Sequence, residues 1–198
     1  MTQGSRPIIT SVGNIRHVKG FDVLIRAAAL VREHYPEALF LIAGRSTDGE
    51  AECLRGLEEL RDKLTLNNEV RFVGPVDDVP GFLRQSTVFC LLSRSEGFSN
   101  ALLEAMACGL PSVVANVGGN AEAIEDGISG FVVNSEDHSA AAERICRILA
   151  DAALAKRLGN NAQESVRTRF GPTEVISQLV SVYDSLLRNH NNGKRARL

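Results

Sequence analysis

Six short apolar runs, spaced along the chain, constrain the fold more than any other feature of the sequence. They are IITSVG (8–13), ALFLIA (38–43), VRFV (70–73), VFCLL (88–92), SVVA (112–115) and GFVV (130–133), each closed by glycine, serine or asparagine. Runs that are near-continuous rather than alternating predict strands covered on both faces. Helical patterns fill the intervals. In GFDVLIRAAALVREHYP, Phe21, Leu24, Ile25, Ala28 and Val31 fall on one stripe, which stops at Pro36. AECLRGLEELRDKL repeats the pattern with Leu54, Leu57, Leu60 and Leu64. A short helix is expected before Val88 and another over Asn120–Glu125. The chain then turns all-helical, over roughly Asp137–Leu149, Asp151–Arg169 and Pro172–Asn189.

Strands alternating with amphipathic helices predict an α/β fold: a single Rossmann-like, doubly wound parallel sheet of six strands with helices on both faces. With the order 3-2-1-4-5-6, the first and fourth strands are neighbours, and ligands of such sheets bind in the crevice at their carboxyl ends. The loops leaving those two strands are GNIRHVKG (13–20) and SRSEGFSN (93–100). The 198 residues suit one domain, expected over 1–190, with 191–198 as a disordered tail.

The composition, 44% hydrophobic and 23% charged, is that of a globular protein, and the formal net charge of -2 argues against a nucleic-acid partner. The basic run Lys194–Arg197 reads as a solvated terminus. Cys53, Cys90, Cys108 and Cys146 have neither CxxC spacing nor a disulfide pattern. No apolar leader core or membrane-length run is present, so a cytoplasmic protein without a transmembrane segment is expected.

The loop 13–20 carries Arg16, His17 and Lys19 and runs straight into a helix, which makes it either an anion site or a solvated turn. It is neither GxGxxG nor a Walker A loop. In the loop 93–100, Gly97 allows close backbone approach, and the amides of Phe98, Ser99 and Asn100 suit a phosphate oxygen. Glu96 beside them would repel an anion and should face hydroxyl donors. Glu104 lies in an apolar stretch, Ala101–Pro111, and its helical neighbours Asn100, Ala101, Ala107 and Cys108 include no cation. If that stretch is buried, an unpaired carboxylate costs several kcal/mol unless donors come from outside. Two carboxylates reaching for hydroxyls beside a phosphate-binding turn describe a nucleotide sugar. The plainer alternative is that Glu104 accepts backbone amides and Glu96 is solvated. His17 reads as a surface residue and Arg94 as solvated. Glu122 either orients the Gly118–Gly119 loop or caps a helix. For Arg45 and Asp48 at the crevice rim, base contact and solvation compete.

The segments SVGNIRHVKGFDVLIRA, LIAGRSTDGE, VRFVGPVDDVPGFL and SRSEGFSNALLEAMACGLPSVVANVGGNAEAIEDGISGFVV resemble, in order, the donor-binding domain of glycosyltransferase family 4. That resemblance implies half of a GT-B fold, a retaining mechanism and a nucleoside-diphosphate sugar as donor, with no metal required. It gives Glu104 to the ribose hydroxyls, Glu96 to the donor sugar, and Lys19 to the diphosphate. By the same resemblance, the amides at Phe98, Ser99 and Asn100 match those that cradle phosphate and sugar. Gly44, Val73 and Gly74 fall where the family's nucleobase usually lies. Where the family commonly has Gly-Arg, this chain has Gly13-Asn14, and Arg16 is the candidate to replace the missing arginine.

The acceptor (a glycan, lipid or small molecule) would be bound by a separate N-terminal domain, through which peripheral membrane contact is allowed. That domain is expected to be absent, because seven residues precede the first predicted strand. The final helix normally runs back towards it. Its stripe of Ile176, Leu179, Val180, Tyr183, Leu186 and Leu187 is expected by default to pack on the domain's own sheet, the alternative being a stripe partly stranded at the surface. A dehydrogenase half-domain fits poorly without GxGxxG. A GT-B-type sugar-nucleotide epimerase and a non-catalytic binding module remain alternatives.

Overall fold

In the computed structural model of the chain, which describes residues 6–46 and 51–195, all six strands are present. They are β1 (Ile8–Val12), β2 (Leu39–Ala43), β3 (Val70–Gly74), β4 (Val88–Leu91), β5 (Ser112–Ala115) and β6 (Phe131–Val133). They form one sheet in the order β3-β2-β1-β4-β5-β6, with every pairing parallel. The helices are α1 (Phe21–His34), α2 (Ala51–Lys63), α3 (Val79–Arg84), α4 (Asn100–Ala107), α5 (Asn120–Ala123), α6 (His138–Ala150), α7 (Ala152–Arg169) and α8 (Pro172–Arg195). A 3-10 turn, His17–Lys19, precedes α1.

Alternation along each strand builds two apolar layers. From β4, Val88 and Cys90, followed by Leu92, join one cluster, while Phe89 and Leu91 join the other. The first layer is covered by α1, α2 and α6, the second by α3, α4 and α7. The whole expected stripe of α1 is buried, each large side chain contributing roughly 1.5–3 kcal/mol of transfer free energy. Helix α7 links the layers, placing Leu154, Ala155 and Leu158 in the first and Ala162 in the second. Starts are well marked: Asp78, Asp137 and Asp151 cap α3, α6 and α7 by accepting backbone amides.

The end of the chain departs from expectation. Helix α8 does not lay its stripe on the sheet. Val175, Ile176, Leu179, Val180, Val182, Tyr183 and Leu186 are all 49–60% exposed, and the Leu187 side chain lies outside what is described. The other two layers already cover both faces of the sheet, which leaves α8 no apolar surface to occupy. The helix also continues to Arg195, past Asn189 and into part of the expected tail, of which 196–198 lie outside the described residues. Among the described residues, no helix is long and apolar enough to cross a membrane.

Candidate functional site

The carboxyl ends of β1 and β4 lie side by side, and the loops that follow them are joined at several points. Gly20 ends the 3-10 turn with φ +63°, and a Cβ on it would sit 2.0 Å from the Leu92 carbonyl oxygen. Only glycine meets both demands. Across the same seam the Arg94 amide donates to the Val18 carbonyl at 2.8 Å. The Lys19 side chain lies along Gly13, its Cε 3.5 Å from where a Gly13 Cβ would stand, and ends at Glu96. Lys19 Nζ is 2.7 Å from Glu96 Oε1, and the Ser93 hydroxyl donates to that same oxygen at 2.8 Å. The two side chains are 23% and 9% exposed, so the pair is largely removed from water.

The Gly118–Gly119 loop forms the far wall. The Gly119 amide donates to the Gly97 carbonyl at 2.7 Å. Gly118, at φ +49°, passes so close that a Cβ would fall 1.8 Å from the Glu96 carbonyl oxygen. Ser99 caps α4, accepting from the Leu102 amide at 3.4 Å. The amides of Phe98, Ser99 and Asn100 donate to no acceptor among the described residues. They therefore remain open for an anion at this helix start. Phe98 is half-exposed, and its ring packs against Phe170 with centroids 5.2 Å apart.

Glu104 is not the buried carboxylate that the apolar stretch implied. Helix α4 buries Leu102, Ala105 and Met106 and leaves Asn100, Glu104 and Ala107 exposed. A helical period of 3.6 residues in an eight-residue helix gives Glu104 to the open side. Its carboxylate accepts no hydrogen bond and forms no ion pair among the described residues. Asn100, Glu104 and Cys108 succeed one another at four-residue steps along one face, and Cys108 Sγ contacts the Pro80 carbonyl of α3. Glu104 thus stands on the flank of α4 turned towards α3. The desolvated carboxylate of the site is Glu96, and its partner Lys19 comes from another loop.

A cavity of about 270 Å³ opens where β1, β2 and β3 end, lined by Gly13, Asn14, Gly44, Arg45, Pro75, Val76 and Val79 among others. The Gly44 amide donates to the Gly74 carbonyl at 2.9 Å and the Ile15 amide to the Arg45 carbonyl at 2.9 Å, which fixes the floor. Val73 is 40% exposed and is not in this lining. Pro75, Val76 and Val79 take that place. A turn sequence such as GPVDDVP after a strand was the available signal. Arg45 is in the lining, and Asp48 lies outside the described residues. Arg16 and His17 line a separate cavity of about 450 Å³ against Glu52, Cys53 and Leu57 of α2. Glu122 is exposed and caps nothing: Gly119 is the N-cap of α5, and the Glu122 carbonyl accepts from Arg169 at 2.6 Å.

Arg94 is not solvated. Its guanidinium donates to both carboxylate oxygens of Asp22 (2.8 and 2.7 Å), to Glu136 (3.0 Å), and to the His17 carbonyl (2.6 Å). Burial alone would raise the Asp22 carboxyl. The hydrogen bonds and charge of Arg94 more than reverse this, so Asp22 titrates below its ordinary range. The Arg94 guanidinium is correspondingly driven up, first by its bonds to Asp22, against the opposing effect of burial, and with further support from Glu136. Among the described residues no three His, Cys, Asp or Glu side chains gather as a metal ion would need.

A parallel doubly wound sheet whose switch-point crevice holds a lysine, a carboxylate and an open helix start defines a Rossmann-like domain of the α/β class. The sequence profile described as Glycosyl transferases group 1 matches residues 2–165, and the chain belongs to that family.

The N-acetyl-alpha-D-glucosaminyl L-malate synthase of Bacillus anthracis is 33% identical over 190 residues, which are 96% of this chain and 48% of that protein. A D-inositol 3-phosphate glycosyltransferase of Salinispora tropica is 34% identical over 189 residues, 92% of this chain and 39% of that protein. The chain thus spans about half, or less, of the length of these relatives. Among solved structures, Anabaena Alr3699/HepE in complex with UDP superposes with a TM-score of 0.85 at 26% identity. That match covers 90% of this chain and 48% of HepE. The fold is GT-B-like, with this chain corresponding to about half of such a structure.

Proposed function

We propose that this chain is the donor-binding half of a retaining glycosyltransferase of family 4 type, which takes a sugar from a nucleoside-diphosphate sugar. The observation that carries the reading is the Lys19–Glu96 contact across the β1 and β4 loops, beside the open amides of Phe98, Ser99 and Asn100. The UDP held by Anabaena HepE, on the same fold, supports a nucleoside diphosphate as the ligand class.

Transfer breaks the bond between the anomeric carbon and the diphosphate oxygen, whose electrons leave with the diphosphate, while an acceptor oxygen bonds the anomeric carbon on the same face and passes its proton to the departing diphosphate. Lys19 and the helix-start amides stabilise that growing negative charge, a preorganised effect of about 3 kcal/mol per well-placed donor. An ammonium and backbone dipoles suffice for this, so the proposed reaction needs no divalent metal. Arg16, the candidate for the family's arginine, lines the separate cavity against α2 and reaches the diphosphate only if its side chain turns away from Glu52. Glu96 holds Lys19 through Oε1 and turns its other oxygen to the hydroxyls of the donor sugar. Glu104, with no hydrogen-bond partner among the described residues, accepts from the ribose hydroxyls. The base is assigned to the cavity lined by Gly13, Asn14 and Gly44, with Val73 and Gly74 at its margin. The acceptor belongs to a second domain, consistent with relatives about twice as long and with the bare apolar face of α8. Alone, the chain should bind donor without sustained turnover, and multiple turnover by the purified chain would refute that clause.

Calorimetric titration with UDP, GDP and ADP, run with and without EDTA, tests the reading. One nucleotide should bind in both conditions. Glu104→Ala should weaken it about tenfold, the loss of hydrogen bonds to a charged acceptor, while Glu104→Gln keeps part of the affinity. If both variants bind like the parent, the ribose assignment is wrong.

A further inference from the structure

Arg94 comes from the β4 loop, yet its contacts lie almost entirely in two others. Its Nη1 reaches the His17 carbonyl at 2.6 Å, inside the 3-10 turn that ends at Lys19. Its backbone amide holds the next carbonyl, Val18, at 2.8 Å. Both Asp22 oxygens, in the first turn of α1 just past Gly20, complete a bidentate pair. On the far side Glu136, from the loop after β6, meets Nε at 2.5 Å and Nη2 at 3.0 Å. Glu136 is held at φ +67°, a left-handed conformation that a non-glycine residue adopts at a cost and that its surroundings must impose. One guanidinium, with its side chain 19% exposed, therefore ties together the loops at the carboxyl ends of β1, β4 and β6.

The consequence falls on Lys19. Lysine is a flexible four-carbon stem with a point charge at its tip, so its aim depends on where its Cα is held. Two of the three carbonyls in its turn are pinned by Arg94, and two residues further along the same loop Glu96 receives the ammonium. All of the Arg94 donors described are committed to protein acceptors, which marks the residue as one that places another rather than one that meets the ligand.

We infer that Arg94 is a positioning residue for Lys19, setting through the His17–Lys19 turn the site's preference for a diphosphate over the bare nucleoside. The inference rests on the assignment of Lys19 to the donor diphosphate. The test measures, by calorimetry, the affinity ratio of a nucleoside diphosphate to its own nucleoside, using whichever of UDP, GDP or ADP the parent chain binds best. Arg94→Lys keeps the charge beside Asp22 but lacks the planar fork. It should lower that ratio about tenfold, as for one misplaced charge-assisted bond, while nucleoside affinity stays unchanged. Lys19→Met should lower the same ratio, and in that background Arg94→Lys should add little, because the two act in series.

A ratio unchanged in Arg94→Lys, beside a lowered one in Lys19→Met, overturns the positioning role and spares the diphosphate assignment. Fully additive effects overturn it too, by making Arg94 an independent anion contact. A ratio unmoved by Lys19→Met removes the diphosphate assignment itself and takes this inference with it. Should Arg94→Lys fail to fold, Asp22→Asn frees one end of the clamp and is measured in the same way. A lowered ratio in that variant supports the positioning role, and an unchanged one overturns it.

Discussion

Replacing Gly20 with alanine should separate the two loops that make the site, at a cost the geometry sets. Alanine at φ +63° carries a conformational penalty of about 1 kcal/mol. Its Cβ would also lie 2.0 Å from the Leu92 carbonyl oxygen, where ordinary contact begins at 3.4 Å, so backbone must yield by more than 1 Å. Overpacking of this kind costs about 1–3 kcal/mol. The Arg94–Val18 backbone hydrogen bond across the seam adds about 1 kcal/mol when it is pulled apart. The total is about 3–5 kcal/mol.

Gly74 supplies the control: its φ is +73°, but nothing lies within 4 Å of an added Cβ, so Gly74→Ala should cost about 1 kcal/mol. In urea denaturation with a slope near 2 kcal/mol/M, the midpoints should fall by about 2 M for Gly20→Ala and about 0.5 M for Gly74→Ala. Two midpoint shifts within 0.3 M of each other, on the order of the uncertainty of the method, would refute the close approach as the reason for glycine at position 20.

The Asp22 ion pair and the bare face of α8 give two further expected outcomes. Because the folded Asp22 carboxyl lies below its ordinary 3.8, its ion pair contributes stability that is present above that value and lost as pH falls through the lower folded one. Urea midpoints at pH 6 and pH 3 should therefore differ less for Asp22→Asn than for the parent, and an equal difference would remove the ion pair as a source of acid sensitivity. On α8, Ile176→Ser and Leu179→Ser should each change stability by no more than about 0.5 kcal/mol, since both side chains are already more than half exposed. A loss of about 2 kcal/mol in thermal unfolding would mean that the helix folds back on the domain.

The sequence alone determined the strand number, the order of elements and, through them, the crevice. A buried parallel strand must be apolar throughout and a covering helix apolar on one stripe, and both patterns are local. Ser112–Ala115 matches to the residue, and most other ends fall within one or two positions. Once the order 3-2-1-4-5-6 is known, the loops after β1 and β4 are brought together by topology, while Lys19 and Glu96 are singled out within them by the resemblance to family 4.

Partners and exposure were decided only by the tertiary structure. Lys19 and Glu96 are 77 residues apart, Arg94 lies 72 from Asp22, and it is 42 residues from Glu136. No local pattern records pairings over such separations. Glu104 stands open because the apolar side of an eight-residue helix, Leu102, Ala105 and Met106, is the one turned into the core, and α8 stands bare because both faces of the sheet are already covered. Burial is a property of what packs against a residue, and that neighbour is chosen by the whole fold.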